Sequence, residues 1–370
     1  MRIGIITFHA AFNYGSMLQA YALQTFLQKS GHEVFIINYR PRIQRLGYPK
    51  PIEFSSLYNI TVSIKRLIFE SSTIKPLNKK WSLFDAFLHK YLNLTDEYTR
   101  IHELEQASFN YDVLITGSDQ IWNTLAFDFS EAYFGTFLGD KAVKISYGPS
   151  MGPNPEKQNV DYLRHLLKGY RAVSVREKRT KDFLEKNNIC KNVSIVLDPT
   201  MLLAKEDYDS LFDKTPMVNG KYIFYYTPGS IRHEFLQEAS LIGKETGLPV
   251  ICDTCYASKE LLNYKNVYTY PEVGPSEFLN LVYNAEIICG ASFHLIVFAI
   301  LFRKCFYCMN GDVDSRMNNL MKITGFENRI WSVVNREKNR LQDIYYSSEF
   351  EDMLDNYKKS SQKFLYDFLY

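Results

Sequence analysis

Long apolar runs, a strong net charge and a nucleotide-binding glycine pattern are all missing from this sequence of 370 residues. No segment reaches about 18 consecutive apolar residues, so we expect no transmembrane helix. The net charge of +2 gives no global field of the kind that attracts nucleic acid. The chain begins at once with a predicted strand and shows no signal peptide, so we expect a cytoplasmic protein that does not bind nucleic acid.

Cysteine is also sparse, although the six cysteines include two C-x-x-C pairs. One motif contains Cys252 and Cys255, and the other contains Cys305 and Cys308. Two such motifs are the ligand pattern of a four-thiolate zinc site. The pairs fall at or within predicted strands, however, where residues three apart point to opposite faces. We therefore favour reduced, partly buried thiols and expect no metal site.

The length and the hydrophobic content favour a chain of two packed domains. Hydrophobic residues make up 46% of the sequence, and single cores stop growing near about 250–300 residues. Residues 205–221 are polar and contain Pro216 and Gly220, which is typical of a linker with a short helix. We predict an N-terminal domain at 1–204, a C-terminal domain at 205–335 and a helical tail at 336–370, which packs back across both domains.

Residues 111–123 have the sequence YDVLITGSDQIWN, in which an apolar run breaks into polar side chains. The run at 113–115 predicts a buried strand of a parallel sheet. Ligands of open α/β sheets collect at the carboxyl ends of the strands, so Ser118, Asp119 and Gln120 are expected to face a crevice. The alternative is an ordinary strand-to-helix turn in which Ser118 or Asp119 is the N-cap.

The start of the chain predicts a strand at 2–8, a loop at 9–16 and then a helix. Ser16 is the predicted N-cap, and Gly15 lets the backbone come close to a ligand. The N-terminus of the helix favours an anion. This unit lacks the dinucleotide glycine fingerprint, so a nicotinamide or flavin cofactor is not expected.

Three later segments, at 142–152, 172–177 and 195–200, are apolar runs that also end at polar residues. We expect these strand ends to line one edge of one sheet. Arg176 is the single cation among them, and a guanidinium can bind two oxygens of a carboxylate or phosphate. Arg176 is therefore the leading candidate for an anion ligand, and an ordinary ion pair with a nearby acid is the alternative.

Residues 285–307 predict a strand at 286–289, a turn and then a helix at 293–302 that is apolar all round and therefore buried. Ser292 is the predicted cap of this helix, and His294 lies in its first turn. A histidine at this position faces the carboxyl edge of the sheet and is a candidate proton acceptor. A purely structural histidine is the alternative.

Taken together, these segments resemble the polysaccharide pyruvyl transferase family over residues 2 to about 331. The matching pieces are NYGSMLQAYALQ, WSLFDAFLHKYLNLT, YDVLITGSDQIWN, ISYGPSMG, AVSVREKRT, VLDPTMLL, NAEIICGASFHLIVFAILF and DSRMNNLMKITGFENRIW. The resemblance implies an α/β fold with two Rossmann-like domains that face each other across a cleft, as in type B glycosyltransferases. The acceptor is then expected on the N-terminal side and the donor on the C-terminal side, which carries the His294 helix.

The resemblance also implies an activity, in which phosphoenolpyruvate is the co-substrate and no further cofactor is needed. Pyruvate is attached, often as a cyclic ketal, to a sugar of a cell-surface polysaccharide or its lipid-linked precursor. His294 is the candidate base, and Asp119 or Glu177 orients it or supplies the acid. Arg176 is expected to bind the donor anions, with Arg303 as a weaker second cation.

The residues expected to bind substrate lie at helix N-termini or have polar side chains suited to anions and sugar hydroxyls. They are Asn13, Tyr14, Gly15, Ser16, Ser118, Gln120, Asn123, Arg176, Glu177 and Ser292. One departure from the family is that Ala291 precedes the Ser-Phe-His motif and Leu295 and Ile296 follow it, where the family usually has Gly-Thr. Two alternatives stay open: a nucleotide-sugar-dependent glycosyltransferase, and a non-catalytic sugar-binding protein of a polysaccharide pathway.

Residues 40–80 contain nine Lys or Arg against two Glu, with apolar residues between them. One interpretation is a solvated insertion. The other is a surface that touches anionic lipid headgroups or a lipid pyrophosphate, which would bring the enzyme to a membrane-borne acceptor as a peripheral membrane protein.

Overall fold

The computed structural model describes residues 1–47, 50–54, 57–69, 71–139, 141–229, 232–253, 263–332 and 346–369. The strands are β1 (Arg2–Ile6), β2 (Glu33–Ile36), β3 (Val113–Thr116), β4 (Val143–Ser146), β5 (Tyr170–Ala172), β6 (Ser174–Val175), β7 (Ser194–Ile195), β8 (Ile223–Tyr226), β9 (Val250–Cys252), β10 (Val267–Thr269), β11 (Ile287–Gly290) and β12 (Cys305–Cys308).

The helices connect these strands or follow them. They are α1 (Tyr14–Lys29), α2 (Arg42–Gly47), α3 (Leu57–Phe69), α4 (Ser71–Tyr91), α5 (Ile101–Gln106), α6 (Val160–Leu166), α7 (Lys178–Lys186), α8 (His233–Thr246), α9 (Pro275–Asn284), α10 (Phe293–Leu301), α11 (Ser315–Thr324) and α12 (Ser348–Leu369). The predicted linker contains a short 3-10 helix, Lys205–Leu211.

Two parallel sheets organise the described residues. One has the order β2-β1-β3-β4-β5 and the other β10-β9-β8-β11-β12. In the first sheet β2 lies on one side of β1, and the later strands, beginning with β3, lie on its other side. The second sheet has the same reversal of strand order between β8 and β11. Crevices for ligands open at such switch points, outside the carboxyl ends of the strands. The predicted fold class, α/β with two Rossmann-like domains, is confirmed.

The start of α1 differs from the prediction. The helix begins at Tyr14 and its N-cap is Asn13, whose side-chain oxygen accepts hydrogen bonds from the backbone N–H groups of Gly15 and Ser16. Ser16 was predicted as the cap, but it lies inside the first turn, and its hydroxyl donates to Asp119 Oδ2 at 2.6 Å. The asparagine amide therefore takes the capping role and leaves the serine hydroxyl for a contact with the loop after β3.

The segment 172–177 is not a single strand that ends at the edge of the first sheet. The prediction that the ends of the three segments line one edge of one sheet was therefore wrong. Only β5 joins the first sheet, while β6 pairs with β7 in a separate two-stranded sheet. The hydroxyl of Ser146 accepts from the backbone N–H of Ser174 and donates to its carbonyl, at 2.9 Å in both cases. Side-chain hydrogen bonds thus replace the backbone ladder at this point and turn the chain out of the first sheet.

One hydrophobic core runs through the residues of both sheets, and α12 joins them from outside. Near its start, Phe350 packs against Phe326, and near its end Phe364 contacts Tyr147. Below, "N-terminal half" means 1–204 and "C-terminal half" means 205–332. The division at residue 204 stays a prediction, although the strands of the two five-stranded sheets lie on either side of it.

The cysteines of β12 point to opposite faces of the second sheet, as predicted. Cys308 belongs to the core cluster that contains Ile288, whereas Cys305 packs against the cluster that contains Ile287. The two thiols cannot ligate one ion from these positions. Cys255 lies outside the described residues, and the described residues contain no group of three metal ligands. None of the helices in the described part of the chain is long and apolar enough to cross a membrane.

Candidate active site at the junction of the two sheets

Five charged or titratable side chains come together from the carboxyl ends of β3, β6, β7 and β11. We call Asp119, Arg176, Glu177, Asp198 and His294 the Arg176 cluster. Its contacts to the guanidinium are Nη1 to Asp198 Oδ2 at 2.5 Å, Nε to Glu177 Oε1 at 3.7 Å and Nη2 to Asp119 Oδ1 at 4.0 Å. From the other half of the chain, His294 Nε2 lies 3.4 Å from Asp198 Oδ2.

Asp198 is the centre of this cluster, although the sequence reasoning gave it no role. Its other oxygen, Oδ1, accepts hydrogen bonds from the backbone N–H of Thr200 at 3.0 Å and from the hydroxyl of Thr200 at 2.6 Å. Burial alone would raise the pKa of the Asp198 carboxyl, but the neighbouring His294 and Arg176 side chains and Thr200 outweigh it. The pKa therefore lies well below its ordinary value, and the group is a carboxylate.

His294 lies in the first turn of α10, and Ser292 caps that helix, as predicted. The Ser292 hydroxyl oxygen accepts from the backbone N–H of Leu295 at 3.4 Å. The imidazole lies directly on Gly15: a Cβ added there would be 1.9 Å from His294 Nδ1. Gly15 was expected to admit a ligand to the backbone, and in the structure it admits the ring of His294. The N-terminus of α1 and the imidazole are thereby in contact across the two halves.

Arg176 is only 5% exposed, and carboxylates surround it. The ordinary ion pair, which the sequence analysis kept as an alternative, is therefore present. The guanidinium also lies 5.0 Å from the ring centre of Phe293, and its Nε has no hydrogen-bond partner among the described residues. The cluster is therefore a buried network of charges in which the Nε–H group of Arg176 has no hydrogen-bond acceptor among the described residues.

The pKa of Glu177 is shifted in the opposite direction from that of Asp198. Burial raises its pKa above the ordinary value, against the opposing charges of Arg176 and Arg316. Its Oε1 has no hydrogen-bond partner within the described residues. A buried carboxyl whose pKa is raised retains its proton more readily, which is the property of a general acid.

A small cavity of about 20 Å³ adjoins the cluster. Arg176, Glu177, Asp198, Phe293 and Arg316 line it. This volume holds about one water molecule. The cavity as it stands is therefore too small to hold a substrate of several heavy atoms.

Three of the predicted substrate-binding residues have partners inside the protein. The Ser118 hydroxyl donates to the carbonyl of Gly148 at 2.7 Å, and Asn13 caps α1. Tyr14 lies in the core, where its ring stacks on Phe278 with centroids 4.6 Å apart and its hydroxyl donates to Asp253 at 2.6 Å. The structure thus gives Tyr14 a role in joining the halves.

Gln120 and Asn123 follow Asp119 in the chain and are partly exposed. Both side chains lie over Gly152, where an added Cβ would be 2.7 Å from Asn123 Nδ2 and 3.3 Å from Gln120 Oε1. Arg303, the weaker candidate cation, follows the far end of α10 and pairs with Glu351. It cannot reach the His294 end, because nine helical residues span roughly 13 Å.

The family model for polysaccharide pyruvyl transferase matches residues 13–313, so this chain belongs to that family. No curated protein matches the sequence significantly. Among solved structures, the chain is similar to UDP-GlcNAc 2-epimerase from Neisseria meningitidis bound to UDP-GlcNAc, at 12% identity and a TM-score of 0.54 over 100% of both chains.

It is also similar to an alpha-glucosyltransferase in complex with UDP and a 13-mer DNA, at 10% identity and a TM-score of 0.52, over 98% of this chain and 90% of that one. At such identities these similarities establish the fold alone. The family membership, in turn, makes the protein a transferase that acts on polysaccharide.

Replacing Arg176 with alanine is expected to lower the free energy of unfolding by about 3–5 kcal/mol, because it leaves the Asp198 charge buried without its cation. The double variant Arg176→Ala/Asp198→Asn removes that charge and is expected to recover part of the loss. Chemical denaturation at pH 7 measures both. As a control, Lys178→Ala breaks an exposed ion pair with Asp182 and is expected to cost less than about 1 kcal/mol.

The same variants have a predicted pH dependence. Because the pKa of Asp198 is lowered in the folded protein, its stabilising contribution is full above the ordinary value of 3.8 and is lost as the pH falls below it. The gap between wild type and Arg176→Ala should therefore narrow below that pH. The account would be contradicted if the difference in free energy of unfolding between wild type and Arg176→Ala stayed constant with pH and the double variant recovered no stability. Arg176 would then stabilise the fold through its packing and not through its charge.

Proposed function

We propose that this protein transfers pyruvate from phosphoenolpyruvate to two hydroxyls of one sugar, as a cyclic ketal, on a cell-surface polysaccharide or its lipid-linked precursor. The observation that carries the proposal is the 3.4 Å approach of His294, which follows β11 at the switch point of the second sheet, to Asp198, which follows β7. The family membership supports the same reaction. We expect the protein to work in the cytoplasm, next to the membrane.

The reaction defines what the side chains must supply. C3 of the donor gains a proton, C2 forms bonds to two sugar oxygens, and the bond from C2 to the phosphate oxygen breaks. Each sugar hydroxyl loses one proton; one proton balances the new C–H bond and the other leaves with phosphate. The site therefore needs a base near the hydroxyls and an acid near C3.

His294 is the proposed base, and Asp198 is its orienting partner. The ring is held between the Asp198 carboxylate and the backbone of Gly15, so its direction is fixed before substrate binds. General base catalysis of this kind contributes roughly 10²- to 10⁴-fold in rate. The sequence left open whether Asp119 or Glu177 supplies the acid, and the raised pKa of Glu177 favours that residue.

Asp119 then has a positioning role, because it accepts from Ser16 in the first turn of α1 and lies 4.0 Å from Arg176. The donor's phosphate and carboxylate are proposed to bind Arg176 and the N-termini of α1 and α10. Because Arg176 is paired with Asp198, donor binding must exchange part of that ion pair for the donor's own oxygens. Gln120 and Asn123, which are partly exposed, are the proposed contacts to the acceptor sugar.

The contact between Gly15 and His294 predicts a coupled loss of turnover. Gly15→Ala should lower kcat by roughly 10²- to 10⁴-fold, the same loss that we expect for His294→Gln, because the new methyl group occupies the position of the ring. In a His294→Ala background, Gly15→Ala should add little. Phosphate release from phosphoenolpyruvate, with a panel of simple glycosides as acceptors, measures each variant. Losses that add fully in the double variant would contradict this coupling.

Calorimetric titration tests the donor. Phosphoenolpyruvate is expected to bind saturably, and Arg176→Lys should weaken the binding by roughly tenfold or more, because the charge stays but the two-pronged contact is lost. Binding of a nucleotide sugar instead would assign the protein to the nucleotide-sugar-dependent glycosyltransferases. Binding of glycosides with no response to either donor would favour a non-catalytic sugar-binding protein.

A further inference from the structure

Helix α3 directs apolar side chains away from the protein. Leu57, Ile64 and Ile68 are 85%, 47% and 65% exposed, respectively. Their spacing of seven and four positions places them in one stripe along the helix. Phe54, just before the helix, and Leu67 are exposed beside this stripe. We call Phe54, Leu57, Ile64, Leu67 and Ile68 the α3 patch.

The opposite face of α3 is polar and holds the helix to the protein. Asn59 and Ser63 are buried. The Ser63 hydroxyl accepts from the backbone N–H of Glu53 at 2.8 Å and donates to the Glu53 carbonyl at 2.9 Å, and Arg66 donates to the Pro51 carbonyl at 3.0 Å. A surface helix of a globular protein usually buries its apolar stripe. In this protein the polar face of α3 packs against the rest of the chain, and the apolar face stays exposed and can contact a partner.

The charge around the patch indicates what that partner is. Residues 40–80 carry nine Lys or Arg against two Glu. Arg40 pairs with Glu97 and Lys80 with Asp253, whereas Lys65, Lys75 and Lys79 are exposed. Apolar side chains flanked by Lys and Arg are the pattern of a helix that lies in the interface of an anionic membrane. A second copy of this chain would bring two such basic segments together, at a cost in repulsion. We infer that the α3 patch docks on a lipid bilayer that carries anionic headgroups.

The position of α3 relative to the candidate site is consistent with docking through the α3 patch. Helix α4, which follows α3 and packs against it, contacts the start of α1: Trp81 and Phe84 meet Phe12, and Phe84 stacks on Tyr14. The docked helix thus connects through α4 to the N-terminus of α1, where His294 packs. The use of this docking, to meet a lipid-linked acceptor, rests on the proposed function; the docking itself does not.

Flotation of the full chain with vesicles tests the inference. Binding to phosphatidylcholine vesicles that contain about a quarter phosphatidylglycerol should be at least roughly tenfold stronger than binding to pure phosphatidylcholine, and high salt should weaken it. Leu57→Ser/Ile64→Ser/Ile68→Ser should lose roughly tenfold or more of that binding. The control Tyr268→Ser/Val313→Ser changes exposed apolar residues of the C-terminal half and should bind like wild type.

Equal binding of the triple variant and wild type, or no binding of wild type to anionic vesicles, would overturn the inference. So would a dimer, seen by light scattering, that the triple variant loses while neither protein binds vesicles. Circular dichroism checks that the triple variant is folded, as expected for substitutions at exposed positions. The assay contains neither phosphoenolpyruvate nor an acceptor, so its failure leaves the proposed reaction standing, and failure of the reaction leaves the docking standing.

Discussion

A buried carboxylate is tolerated only when cations and hydrogen-bond donors surround it, and Asp198 meets this condition with groups from both halves of the chain. Arg176 and Thr200 come from the N-terminal half, and His294 comes from α10 in the C-terminal half. This one requirement aligns the ends of β6, β7 and β11. It also presses the imidazole onto α1, where only a glycine leaves room.

The fold explains why these side chains meet, and the family membership makes the protein a transferase that acts on polysaccharide. Asp119 follows β3 and His294 follows β11, the strands at which the two five-stranded sheets reverse their strand order, whereas Arg176, Glu177 and Asp198 follow the separate pair of β6 and β7. Residues of both halves line the cavity of about 20 Å³ beside the cluster. In the proposed reaction, donor binding exchanges part of the pair between Arg176 and Asp198 for contacts to the donor's oxygens.

Sequence reasoning located β1, β3, β4, β11 and the cap at Ser292, because apolar runs that end at polar residues report local structure directly. It missed the role of Asp198, since the choice of strand ends that converge depends on how the two halves are oriented. Tyr14 illustrates the same limit: its partners Asp253 and Phe278 belong to the other half. The sequence also did not predict that α3 packs through its polar face, because the periodicity of a helix shows an apolar stripe but not whether that stripe is buried or exposed.

The most direct test of this account is a crystal structure of the protein with phosphoenolpyruvate bound. We predict that the donor lies between the halves, with its phosphate or carboxylate oxygens within hydrogen-bond distance of Arg176 and of the N-terminus of α1 or α10. C3 of the donor should lie on the side of Glu177, and His294 should face the space for the sugar. Donor bound away from the Arg176 cluster, with the contact between His294 and Asp198 unchanged, would contradict the assignment of this cluster as the active site.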